Sequence, residues 1–144
     1  MSGIVITNVT NKEKEPLDYY NNPQYHKFAI GSGMSTLVPF YKELLEEVIG
    51  EKVNETFHDY ALSKSETQAI QTLFEQQIDE NLFFIEPLDK RRYKDWSFEW
   101  KGKTYDLNLS LISPVNRNIK DFNSIVTICR ECLFFNKPMY LSIE

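Results

Sequence analysis

The chain has 144 residues, of which 42% are hydrophobic, 26% charged and 14% aromatic, with a formal net charge of -5. That length suits a single domain spanning residues 1–144 that buries a core without staples, and the aromatic content argues against disorder. No apolar run approaches the roughly 18 to 20 residues a bilayer span needs, and the N-terminus lacks the basic-then-apolar pattern of a secretory signal, so a cytoplasmic protein with no membrane partner is expected.

Ile4 to Val9 is rich in β-branched residues and reads as a first strand, followed by a polar tract that ends at Pro16. Leu17 to Gly33 carries turn signals at Asn21-Asn22-Pro23 and Gly31-Ser32-Gly33, with Tyr19, Tyr20, Tyr25, His26 and Phe28 between them, and reads as a long aromatic loop. Leu37, Phe40, Tyr41, Leu44, Leu45 and Val48 then recur at helical spacing, with Gly50 placed as a stop, which predicts a helix from about Thr36 to Ile49. Two overlapping capping boxes, Ser63 with Glu66 and Ser65 with Gln68, announce a second helix whose apolar stripe is Ala69, Ile70, Leu73, Phe74 and Ile78.

Leu82 to Glu86 is a short apolar run closed by Pro87 and reads as a buried strand. Trp96, Phe98 and Trp100 alternate with polar residues, Lys101-Gly102-Lys103 turns the chain, and Tyr105, Leu107, Leu109 and Leu111 alternate again, which predicts an antiparallel hairpin. Ile119, Phe122, Ile125, Val126, Cys129, Cys132 and Leu133 trace a third helix ending near Asn136. Pro138 opens a last strand with Met139, Leu141 and Ile143 on one side. The order β-α-α-β-β-β-α-β lacks regular βα alternation. It predicts an α+β fold with an antiparallel or mixed sheet of four to five strands and three helices packed on it.

The candidate chemistry is sparse. Cys129 and Cys132 have C-x-x-C spacing but lie mid-helix on the apolar stripe, where core packing explains them better than a thiolate at a helix N-terminus or half of a zinc site. His26 and His58 are the two histidines; as an acid and base pair they would suit a small metal-independent hydrolase or ribonuclease. If Glu55 to Asp59 were helical, Glu55, His58 and Asp59 would share one face as part of a metal site. Gly31-Ser32-Gly33 is not followed by the lysine of a P-loop and reads as a hinge ahead of the first helix. The sequence therefore implies no catalytic residue, no metal and no cofactor. Lys90, Arg91, Arg92 and Lys94, with Tyr93 and Trp96 interleaved, are the one place a nucleic acid could touch, but they read better as a solvated approach to the hairpin or an internal counter-charge to the acidic helices, and no nucleic-acid partner is expected.

The strongest signal is charge. Between Glu43 and Glu86 eleven carboxylates face only Lys52 and Lys64, which leaves that stretch at -9. Glu43 and Glu47 are like charges one turn apart, an arrangement that lowers helix stability by a few tenths of a kcal/mol, so a partner is a reason to keep them. The reading is a non-enzymatic protein-binding module. Glu43, Glu46, Glu47, Glu51 and Asp59 would face a basic protein, and Tyr19, Tyr20 and Tyr25 would pack at the edge as aromatic anchors. In size, charge and lack of a catalytic constellation the chain resembles the small acidic immunity proteins with which bacteria neutralise cationic nuclease toxins, including those of contact-dependent growth inhibition. That resemblance implies occlusion of a basic cleft and carries over no functional residue. A further alternative is a structural or adaptor subunit of a larger assembly using the polar hairpin face at Glu99, Asp106, Asn108 and Ser110.

Overall fold

A computed structural model describes residues 3–9, 26–31, 37–85, 96–109 and 114–144. Among these, six strands and three helices form an α+β fold with two antiparallel sheets. The chain runs β1 (Gly3–Thr7), β2 (Lys27–Gly31), α1 (Val38–Ile49), a 3-10 turn (Gly50–Asn54), β3 (Phe57–Leu62), α2 (Lys64–Asn81), a second 3-10 turn (Leu82–Phe84), β4 (Trp96–Trp100), β5 (Lys103–Leu107), α3 (Pro114–Phe134) and β6 (Met139–Ile143).

The larger sheet has the order β2-β1-β6-β3. Its register explains the core: Ile6 lies opposite both Phe28 and Leu141, and Leu141 lies opposite Tyr60, so one apolar row crosses all four strands. Ile4 and Ile143 pair beside that row, and both are buried. Because side chains alternate along a strand, every second residue of β1 and β6 enters the core. The final strand matches the sequence pattern, with Met139, Leu141 and Ile143 all buried.

The helices fill the layer above that face. In α1 the buried residues Val38, Tyr41, Leu44 and Leu45 cover one side only, and Gly50 ends the helix at φ 68°, its N–H donating to the Glu46 carbonyl. Tyr41 sits among Phe28, Phe74 and Phe122 with ring centroids 5.3, 5.8 and 6.0 Å away. The Ser63–Glu66 capping box forms as the sequence predicts and starts α2. Of the stripe expected there, Ile70, Phe74 and Ile78 are buried, whereas Ala69 is exposed. Helix α3 buries eight residues distributed over more than half of its circumference, as a helix with neighbours on two sides must. It ends in a Schellman turn: Asn136 takes φ 54°, and the Lys137 N–H reaches the Cys132 carbonyl at 2.8 Å.

The predicted hairpin is present as β4 and β5, with Trp96 opposite Leu107 and Trp100 opposite Lys103. It forms its own sheet and is tied to the helices. The Trp100 indole donates to Asp79 of α2 at 2.8 Å, Arg130 of α3 lies 5.5 Å from the Trp100 ring, and Asn116 of α3 donates to the Asn108 carbonyl at 3.0 Å.

Two expectations are corrected, and one strand has no sequence assignment. Lys27–Gly31, read as loop, is an edge strand. Phe57–Leu62 is also an edge strand; its alternation is broken by a bulge between Phe57 and Tyr60, where Asp59 adopts φ 54° and donates its N–H to Ser142 Oγ at 3.0 Å. The expected buried strand is absent over Leu82 to Ile85, the described part of that run: Leu82–Phe84 extends α2 as a 3-10 turn, and Phe83 and Phe84 are 86% and 70% exposed. The element order is therefore β-β-α-β-α-β-β-α-β.

Candidate functional site

On α1 the residue spacing divides the helix in two. At about 100° per residue, Glu43, Glu46 and Glu47 project on the side opposite Val38, Tyr41, Leu44 and Leu45. All three are exposed, as is Glu51 in the 3-10 turn that continues the helix. None of the four makes an ion pair with a lysine or arginine among the described residues. Burial of one face thus fixes an uncompensated row of carboxylates on the other.

Most of the other described acidic residues of the stretch behave differently; Glu80, exposed on α2 with no ion pair among the described residues, is the exception. Glu55 lies 3.7 Å from Lys52, Glu66 closes the capping box and accepts from the Tyr60 hydroxyl, Glu75 takes Gln71 and Arg130, and Asp79 takes Trp100 and Lys101. The Lys101 ammonium, 2.7 Å away, and the Trp100 indole N–H hold Asp79 below the usual carboxylate range. The acidity read from the sequence as one block is therefore divided among internal clamps, the outward face of α1 and Glu80 on α2.

Asp59 lies on β3 at the bulge, half-buried. The turn that carries Glu51 abuts the same strand, because Lys52 Nζ sits 4.8 Å from the Phe57 ring and 5.0 Å from the Tyr60 ring. The proposed anchors Tyr19, Tyr20 and Tyr25 lie outside the described residues, as do Ser32, Gly33 and the basic residues Lys90, Arg91, Arg92 and Lys94.

The two histidines are not brought together. His26 immediately precedes β2 and His58 is on β3, the two edges of the sheet, so three strand spacings of about 14 Å in all separate them. They also sit at opposite ends of the sheet, since Lys27 aligns with Thr7 and Tyr140 whereas Phe57 aligns with Ile143. His26 has another role: its Nε2 is 3.0 Å from Glu131 Oε2, and its backbone N–H donates to Asn8 Oδ1 at 3.0 Å. Asn8 in turn donates to Glu131 at 3.4 Å. This knot ties the first two strands to α3; no sequence signal marks it, because Asn8 and Glu131 are 123 residues apart.

Glu55, His58 and Asp59 do not share a helical face, since the segment enters a bulged strand, and no group of three metal-ligating side chains occurs among the described residues. Cys129 and Cys132 are buried and not joined in a disulfide. Burial raises both thiols, Cys132 to about 11 and Cys129 further, which fits packing side chains. On the hairpin face, Glu99 and Asp106 are exposed, Asn108 is buried against α3, and Ser110 lies outside the described residues. No described helix is long and apolar enough to cross a membrane.

Sequence reasoning missed a second class of surface. Phe83 and Phe84 after α2, and Phe134 and Phe135 at the end of α3, are large apolar side chains left 59 to 86% exposed. The helical period past Leu82 was the signal for the first pair. The chain matches no protein family model, no curated protein and no solved structure.

Proposed function

We propose that this chain is a non-enzymatic binding protein whose α1 face docks a basic protein, and that it acts as an immunity-type inhibitor occluding the cationic cleft of a toxin. The observation that carries this reading is the row Glu43, Glu46, Glu47 and Glu51, exposed and unpaired with any described cation. Such a row attracts a cationic surface from a distance and stands in for the phosphates of a nucleic acid. Two of its members lie in the last turn of α1, where the helix dipole disfavours negative charge. A binding role gives that placement a reason. The hydrolase alternative loses its support, because it needs His26 and His58 at one centre and they occupy opposite edges of the sheet.

The test is retention of a basic protein from lysate of the source cell by the wild-type chain and by the Glu43→Gln/Glu46→Gln/Glu47→Gln/Glu51→Gln variant, at low and physiological salt. A basic protein held by the wild type, released by salt and not held by the variant supports the reading. Equal retention by the variant overturns the α1 face. A retained protein that does not restrict growth when expressed without this chain overturns the toxin assignment.

A further inference from the structure

We infer that the groove between the end of α2 and the β4–β5 hairpin is a binding site for a small planar aromatic monoanion. The groove has a volume of about 480 Å³. That is within the range of small-molecule sites, which are lined by apolar and aromatic groups with a few placed polar ones.

One wall is Leu82 and Phe83, the other Trp100 and Tyr105. Phe83 is 86% exposed, held off the core by the 3-10 turn that carries it. The facing wall is preorganised: Asp79 accepts from the Trp100 indole at 2.8 Å, Arg130 lies 5.5 Å from the same ring, and Trp100 is almost fully buried. A flat ring placed here lies between the exposed Phe83 and the half-buried Tyr105, with the fixed Trp100 as a rigid support on the Tyr105 side.

The charge at the rim selects the sign of the ligand. Lys101 is neutralised by Asp79 at 2.7 Å. Lys103 makes no ion pair with a carboxylate among the described residues, and its ammonium lies 5.1 Å from the centre of the Tyr105 ring. One net positive charge therefore stands beside an aromatic slot, which complements a ring bearing one carboxylate or sulfonate. This site is independent of the α1 face, which has the opposite charge.

The experiment titrates the full chain with 1-anilinonaphthalene-8-sulfonate and with its uncharged counterpart N-phenyl-1-naphthylamine. The wild type, Phe83→Ala, Lys103→Gln and Phe134→Ala/Phe135→Ala are compared. All the replaced side chains are exposed, and circular dichroism confirms that each variant is folded. The sulfonate should bind more tightly than the neutral dye. Phe83→Ala should weaken it about tenfold. Lys103→Gln should weaken the sulfonate about fivefold and leave the neutral dye unchanged. Equal binding of the two dyes, loss that follows Phe134→Ala/Phe135→Ala, or no binding overturns the inference. So does a groove covered by a second copy, seen as self-association that Phe83→Ala abolishes and the sulfonate does not compete.

Discussion

If the carboxylates of α1 are kept for a partner, removing them should make the isolated protein more stable. Glu46 and Glu47 lie in the last turn of α1, which carries no basic residue, and each opposes the negative end of the helix dipole. For exposed positions that opposition costs about 0.3 kcal/mol each. Both also lie one turn from Glu43, at three and four residues, and each such like-charge pair costs about 0.3 kcal/mol. Lys42 stands one turn before Glu46 without forming an ion pair, and gives back a few tenths. The double variant Glu46→Gln/Glu47→Gln should therefore gain about 0.5 to 1 kcal/mol, raising the melting temperature by about 2 °C for a chain of this size. Because both terms are surface electrostatics, the gain should fade at ~1 M salt, where the screening length is about 3 Å. Thermal melts at low and high salt measure it. A variant no more stable than wild type at low salt, or a gain that persists unchanged in high salt, would refute the claim that these carboxylates are held against local stability.

Tyr41 is 1% exposed and its hydroxyl has no hydrogen-bond partner among the described residues, so Tyr41→Phe should stabilise the protein by about 1 kcal/mol in urea unfolding. A clear loss would show that the hydroxyl is bonded. Asp79 is held low by Lys101 and Trp100, so its contribution is full above the ordinary carboxylate value near 4 and is lost as pH falls through its lower folded value. Asp79→Asn should be less stable at neutral pH, by about 0.5 kcal/mol since the carboxylate is over a third exposed, and the gap should close in acid. A gap that widens below pH ~4 would contradict this assignment. Cys129 and Cys132, buried and with raised thiols, should react with an aromatic disulfide reagent only after denaturation. Rapid labelling of the native protein at neutral pH would contradict their place in the core.

The parts of the fold legible in the sequence were those whose pattern is local and unbroken. The Ser63–Glu66 box, the Gly50 stop, the Trp96–Leu107 hairpin and the Met139–Ile143 alternation all depend on neighbours a few residues away. The two edge strands escaped because their signals are interrupted. In β3 the bulge at Asp59 shifts the alternation by a residue; β2 is five residues long and ends at a glycine, and in the sequence it stands between the turn signals Asn21-Asn22-Pro23 and Gly31-Ser32-Gly33. Leu82 to Ile85 misled in the other direction. Apolar character there predicts burial, yet the chain keeps helical dihedrals past Asn81 and turns Phe83 and Phe84 outward.

The candidate surface shows why a charge count along the chain is a weak guide to a binding face. Eleven carboxylates in one stretch predict a strong field, but their direction is set by what each helix buries. Helix α2 lies against α3 and the hairpin, so Glu75 and Asp79 meet Arg130 and Lys101 from those elements and are spent on internal contacts. Helix α1 buries a single side, and no described cation reaches its outer one. What distinguishes Glu43, Glu46, Glu47 and Glu51 from Glu75 and Asp79 is thus a tertiary fact: among the described residues, no cation from a packed neighbour meets that face of α1. A partner that fits this chain needs cationic groups spaced along about two helical turns, roughly 11 Å, and a protein whose basic residues lie scattered more widely gains nothing from meeting it.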